Sequence, residues 1–394
     1  MTLITDNDAL KAFCKRQAKA DYVAVDTEFM RDSTYWPKLC LAQVAGPDEA
    51  AAIDTLASGI DLGPLFDLMK NRKVLKVFHS ARQDMEIFAL LMDRLPEPIF
   101  DTQVAAMVCG FGESVGYDTL ARKLTGTRID KSTRFADWAR RPLRKRQVDY
   151  ALSDVIHLRP VYEKLARRLE KTDRTAWLDE EMAVLTNPQT YRLDPETAWQ
   201  RLKTRSSDRR YLAVLRALAA WREHEAQRRD VPRNRVIRDE QLFDIAAHRP
   251  TTPEEVAHTR GLSADLARGR IGQALLKALA EGLAVPEADC PDPPPQADRP
   301  AGIGPVVDLL KVLLKMRCEQ HEVAQKLVAN TADLERIAAD DAAPVPALHG
   351  WRREVFGKDA LALKSGDLAL GIEGRRIKVV GLADDTGRRK EKRA

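Results

Sequence analysis

A change of periodicity constrains this chain more than any other feature. Up to about residue 170, short β-branched and aromatic runs alternate with helical stretches. Beyond Glu180 the strand signals fade, and Ala, Leu, Arg and Glu recur at helical spacing. Tyr22 to Phe29 is rich in β-branched and aromatic residues, Lys38 to Ala45 alternates, Ala51 to Asp54 is short, and Val74 to His79 alternates again. Two or three strands in succession, then strands separated by helices, predict a mixed sheet with helices on its faces, an α/β domain over residues 1–190.

The remainder of the 394 residues is long enough for further units with their own cores. Leu212, Leu215, Leu218, Ala219 and Arg222 recur at helical spacing and open an all-α unit over residues 205–286. Residues 287–302 are proline-rich and read as an extended linker. A third, mostly helical unit spans 303–382, and a basic tail covers 383–394. A shift of 92 residues pairs Val231 with Val323, Val236 with Val328, Leu242 with Leu334, Ile245 with Ile337 and Ala246 with Ala338. The second and third units therefore read as diverged copies, although Ala/Leu-rich helices share letters by composition alone.

Composition narrows the class. Hydrophobic residues make up 44% and charged residues 31%, the balance of a globular chain. No apolar run is long enough for a membrane span, and the N-terminal residues lack the layout of a signal peptide, so the expected compartment is the cytoplasm. Cys14, Cys40, Cys109, Cys290 and Cys318 are far apart, odd in number and never at C-x-x-C spacing, so neither a disulfide framework nor a zinc site is indicated and reduced thiols are expected. A net charge of +5 permits nucleic-acid binding without requiring it. No phosphate-binding glycine loop and no Ser/His/Asp arrangement can be assembled.

Carboxylates are the most informative residues. Asp26 and Glu28 lie two apart on a predicted strand, so both project from one face with Cα atoms about 6.5 Å apart. By itself such a pair is also what a solvated strand end looks like. Asp84 follows the strand Val74 to His79 and falls in the first turn of a helix whose start is predicted by a Ser80/Gln83 capping box. A helix-dipole role would account for Asp84 alone. Tyr150 and Asp154, four apart, share one face of a helix beside the stripe Ala151, Val155, Leu158, Tyr162, Leu165 and Leu169. An all-oxygen set without nearby Cys or His favours Mg²⁺ or Mn²⁺ over zinc.

In that order these residues resemble the ribonuclease D family, within the tyrosine-containing branch of the DEDD exonucleases. The resemblance covers Val25 to Phe29, Phe78 to Asp84, Asp137 to Leu143 and Tyr150 to Asp154. It implies a ribonuclease-H-like sheet in which Asp26, Glu28, Asp84 and Asp154 hold two divalent cations, with Asp26 shared between them. Two such ions would stabilise the attacking and leaving oxygens of an in-line displacement at phosphorus. Tyr150, with a phenol pKa near 10 in water, is a poor base and better suited to orienting the attacking water. The resemblance also implies 3′-to-5′ polarity, release of nucleoside 5′-monophosphates, and RNA with a free single-stranded 3′ end as substrate, tRNA precursors above all. Residues 207–286 resemble the helicase-and-RNase-D C-terminal (HRDC) domain in Leu218 to Arg222, Val231-Pro232 and Leu242 to Ala246, and the third unit resembles a weaker copy of it.

For substrate contacts the basic stretch ahead of the Tyr150 helix, including Lys131, Arg134, Arg140 and Arg141, is placed to meet phosphates. Phe29 and Trp138 are candidates to stack on a terminal base, with core packing as the alternative for each. Two other functions remain at this level: a DNA exonuclease of proofreading type, and a non-catalytic RNA-binding protein on the same scaffold.

Overall fold

The computed structural model describes residues 2–130, 132–133, 136–204, 206–293, 300 and 302–382. Lys131, Arg134, the centre of the proline-rich linker and the basic tail lie outside these residues.

Six strands form one mixed sheet: β1 (Thr2–Ile4), β2 (Tyr22–Met30), β3 (Lys38–Ala45), β4 (Ala50–Ile53), β5 (Leu75–Phe78) and β6 (Ile99–Asp101), in the order β1-β4-β3-β2-β5-β6. β2, β3 and β4 pair antiparallel, whereas β5 lies parallel to both β2 and β6, and β1 lies parallel to β4. Each parallel connection needs a crossover, here helices α1 (Asn7–Gln17), α2 (Gly63–Lys70) and α3 (Arg82–Met92). Val23, Ala24 and Val25 of β2 are fully buried, because this strand has neighbours on both sides and cover on both faces. α4 (Thr102–Val108), α5 (Tyr117–Thr125), α6 (Lys145–Lys171) and α7 (Thr175–Leu185) complete the layer. On one face Leu41 and Ala52 of the sheet pack against Ala151 and Leu152 of α6, while Val155, Leu158 and Val161 of the same helix join the main core.

The second unit consists of α8 (Arg209–Arg229), α9 (Arg233–Val236), α10 (Asp239–His248), α11 (Pro253–Ala257), α12 (Ala264–Arg268) and α13 (Arg270–Ala284). Its packing is wider than the sequence boundaries suggest. Ala198 and Leu202 are buried in its core, upstream of 205. Downstream, Arg209 donates to the Cys290 carbonyl at 2.6 Å and Arg210 pairs with Glu287 at 2.9 Å, so residues 287–290 belong to the packed unit and not to an extended linker.

The third unit opens with α14 (Ile303–Gln320), α15 (Gln325–Val328) and α16 (Thr331–Ala339). α15 begins and ends 92 residues after α9, and α16 begins 92 after α10. Asp230 and Glu322, also 92 apart, both adopt a left-handed backbone, with φ of 48° and 47°. A helical stretch then follows, from α17 (Gly350–Arg352) through a π turn into α18 (Lys358–Ser365). The unit is not all-α: β7 (Leu368–Glu373) and β8 (Arg376–Gly381) form a hairpin around Gly374, whose φ is 63°. Leu368, Leu370, Ile377 and Val379 alternate at period two; Leu368 is buried, and packing of the other three on the core turns a helix-poor C-terminal run into strands.

Both helical units grip the α/β domain through equivalent corners. At the α8–α9 corner, Asp230 accepts from the backbone N–H groups of Tyr35 and Trp36 at 3.0 Å, and the Tyr35 hydroxyl is enclosed by Glu223, Gln227 and Arg233. At the α14–α15 corner, Arg174 donates to the Glu322 carbonyl at 3.0 Å and Ala324 N–H to Met107 at 2.9 Å. Trp351 stacks on Trp177 at 4.3 Å, and Arg352 pairs with Glu180 and Glu181. All five cysteines are buried free thiols. No helix among the described residues is long and apolar enough to cross a membrane.

Candidate active site

The end of β2, the start of α3 and the middle of α6 meet at a cleft of about 900 Å³. Asp26 and Glu28 enter it from β2, opposite Gln43 and Leu41 of β3, and a bulge follows between Glu28 and Phe29. The extra residue breaks the alternation there and re-aims the strand end at the cleft, where Phe29, Met30 and Arg31 all line the wall. Asp154 arrives from α6, and oxygens of Asp26, Glu28 and Asp154 lie within 4.8 Å of one another.

Asp84 stands slightly apart from these three. It is buried, and the Thr27 hydroxyl donates to its Oδ1 at 2.5 Å. The expected Ser80/Gln83 capping box does not form: α3 starts at Arg82 with Ala81 as its uncapped entry. Ser80 instead takes a φ of 63°, and the buried Asp101 carboxylate accepts from the N–H groups of Ser80 at 3.0 Å and Ala81 at 2.8 Å. The same carboxylate caps α4 through Gln103 at 2.8 Å. Asp101 thus sets where α3 begins, and so where Asp84 sits. Nothing in its neighbourhood in the sequence marks that role, because its partners lie about 20 residues upstream.

Crowding makes these acids hard to ionise. Burial, then the charge of Asp154, holds Asp26 well above the usual carboxylate range. Burial, followed by Asp26, Asp154 and Asp84, pushes Glu28 up to about 10. Burial and Asp26 raise Asp84 against the opposing Thr27 hydrogen bond, and burial raises Asp154 to about 7 despite a hydrogen bond from Tyr150. Among the described residues Arg31 is the one Lys or Arg lining the cleft, and Glu86 already pairs with it at 2.7 Å. Four carboxylates without a compensating cation, all offering oxygen, fit a hard divalent metal.

Tyr150 is half-buried, with its hydroxyl toward Asp154, and burial together with Asp154, Glu28 and Asp26 drives its ionisation further out of reach than in water. It is therefore a hydrogen-bond donor at neutral pH. Tyr117, which sequence reading passed over, lines the same cleft and donates from its hydroxyl to the Asp154 carbonyl at 2.5 Å. It fixes α6 against α5 at the point where Asp154 projects.

The substrate-contact expectations divide. Phe29 lines the cleft. Trp138 also reaches its wall but is only 3% exposed, with its ring 6.2 Å from that of Tyr150, so it backs the tyrosine more than it offers a stacking face. Arg140 is exposed and outside the cleft lining. Arg141 does not present its charge to a phosphate: it clasps Asp54 at 2.6 and 2.8 Å and donates to the carbonyls of Cys40 and Trp138 at 2.7 and 2.6 Å. Asp54 is buried, so this clasp ties the segment before α6 to the sheet. Arg141→Ala is expected to lower unfolding stability by about 3 kcal/mol, since it strands a buried carboxylate. Urea titration measures it, and wild-type stability combined with weaker RNA binding would return Arg141 to the substrate.

Comparison with known proteins bears on the family and the fold. The 3′-5′ exonuclease family matches residues 1–170, and the HRDC domain family matches residues 211–279. The fold and this match define residues 1–170 as a 3′-5′ exonuclease domain. Ribonuclease D of Granulibacter bethesdensis is 54% identical over 96% of both chains, and that of Acidiphilium cryptum is 51% identical over 96% of this chain and 97% of its own. The crystal structure of Escherichia coli RNase D, an exoribonuclease involved in structured RNA processing, aligns with a TM-score of 0.80 at 29% identity, covering 92% of this chain and 98% of its own. This chain belongs to the ribonuclease D family.

Proposed function

We propose that this 3′-5′ exoribonuclease removes nucleoside 5′-monophosphates stepwise from free single-stranded 3′ ends, with tRNA precursors in the cytoplasm as its main substrates. The observation that carries the reading is the convergence of Asp26, Glu28 and Asp154 within 4.8 Å beside the Tyr150 hydroxyl. The family resemblance makes Asp26 the shared ligand, and its charge acts on both Glu28 and Asp84. Asp26, Glu28 and Asp154 would hold one Mg²⁺ or Mn²⁺, and Asp26 with Asp84 a second. Such a pair supplies positive charge to the attacking and leaving oxygens of an in-line displacement at phosphorus.

The side chains do the positioning. Tyr150 keeps its proton and directs the attacking water by a hydrogen bond, while Glu28 accepts from the same water. The scissile bond joins phosphorus to the O3′ of the preceding nucleotide, so each cut leaves a new 3′-hydroxyl for the next. Phe29, from the bulged strand end, is the candidate to pack against the terminal base. The choice of tRNA rests on family resemblance, supported by the structured-RNA role stated for the Escherichia coli relative.

The test uses purified protein and end-labelled RNA or DNA, with Mg²⁺, with Mn²⁺ or with EDTA. Stepwise shortening of RNA from the 3′ end, stopped by EDTA, is the expected result. Preferential digestion of DNA would favour a proofreading role, and RNA binding without cleavage under any metal would leave a binding protein.

A further inference from the structure

A second opening of similar size lies on the same domain. This groove, about 810 Å³, runs along the far end of α3, bounded on its other side by residues between Thr186 and Leu193 ahead of the second unit. An ion pair links the two linings: Arg31 lines the acidic cleft, Glu86 lines the groove, and two hydrogen bonds of 2.7 Å join them.

The groove's charges are unevenly committed. Glu86 is taken by Arg31, and Glu97 by Arg72 at 2.9 Å. Arg94 and Arg192, both exposed, then have Asp93 as the remaining acid in the lining. Trp36 and Tyr191 supply aromatic surface, and Leu90 is 40% exposed beside them. The Tyr191 hydroxyl is anchored to the Leu185 carbonyl at 2.8 Å, which steadies its ring. Guanidinium groups without an ion-pair partner among the described residues, set beside aromatic and apolar surface, match a single nucleic-acid strand, whose phosphates need charge and whose bases need flat partners.

We propose that this groove is a second RNA subsite, holding the single strand upstream of the nucleotide being removed as it leaves the cleft over the Arg31–Glu86 pair. The proposal rests on reading the cleft as the place where RNA 3′ ends are cut. It also gives the neutralised Arg31–Glu86 pair a function: a low-charge sill between an acidic cleft and a basic groove.

Steady-state kinetics of the full-length protein with Mn²⁺ test it, using one RNA of about 4 nucleotides, confined to the cleft, and one of about 20, long enough to reach the groove. The double variant Arg94→Glu/Arg192→Glu is expected to raise KM for the long RNA about tenfold. Loss of two phosphate contacts should also reduce the slope of log KM against log salt by about 1.4. The short RNA should keep its wild-type kcat and KM. An unchanged KM for the long RNA, or an equal rise for both lengths, overturns the subsite while cleavage itself stands. Absence of cleavage of either RNA by the wild-type protein would overturn the nuclease reading and the subsite with it.

Discussion

Asp26→Asn is expected to slow RNA degradation at least about a thousandfold while making the metal-free protein more resistant to heat. The two effects have one cause. Asp26 is the acid whose charge weighs on both Glu28 and Asp84, and no Lys or Arg among the described residues lining the cleft is left to offset it. An amide removes that repulsion, which stabilises the metal-free cleft, and would remove the ligand proposed to be shared between the two ions, which would disable it. Single-turnover cleavage of a labelled RNA measures the first effect and thermal unfolding in EDTA the second. Activity within tenfold of wild type would show that Asp26 is not a ligand, whatever the melting temperature does.

The second large effect concerns pH and metal together. Burial raises Asp154 to about 7 in the folded protein, against an ordinary carboxylate value near 4 in the unfolded chain. Between those values the native state binds more protons than the unfolded one, so stability falls as pH rises. The contribution is fully present below about pH 4 and is lost by about pH 7; for Asp154 alone the loss amounts to about 4 kcal/mol. Glu28, raised further by burial and then by Asp26, extends the same trend toward pH 10. Divalent cations held by the ionised cluster, as proposed, would oppose this loss. The increment in melting temperature caused by Mg²⁺ or Mn²⁺ should therefore be small at pH 5.5 and several-fold larger at pH 8. Equal increments at the two pH values would mean that the ions bind elsewhere.

The sequence shows which pairs of side chains share a face, while their grouping into one site rested on the family resemblance. Two acids on one face of a strand, and a tyrosine four residues before an acid on a helix, follow from strand and helix periods alone, and both pairs reach the cleft. The element boundaries came close for the same reason: Lys38 to Ala45 is the observed strand, and the stripe from Ala151 to Leu169 lies inside a helix that runs from Lys145 to Lys171. The repeat of 92 residues was visible as a handful of matched apolar letters. It reappears as helices displaced by that number and as a shared left-handed corner at Asp230 and Glu322.

Other features depended on contacts between residues remote in the chain. Arg141 looked available to phosphate because it stands in a basic run, and Asp54, 87 residues away, claims it. Asp101 and Tyr117 carry no local mark, yet one places the start of α3 and the other braces Asp154. The C-terminal hairpin was overlooked because its period-two pattern is short, and it needed a core face to pack against. By itself the sequence determined which chemistry is available, since side-chain type and spacing along regular elements are local properties. The tertiary structure alone decided how close the acids stand, which arginines are claimed by buried acids, and that both helical units use the same corner to hold the exonuclease domain. Those outcomes depend on burial and charge pairing, and such energies exist only once distant segments share a solvent-excluded space.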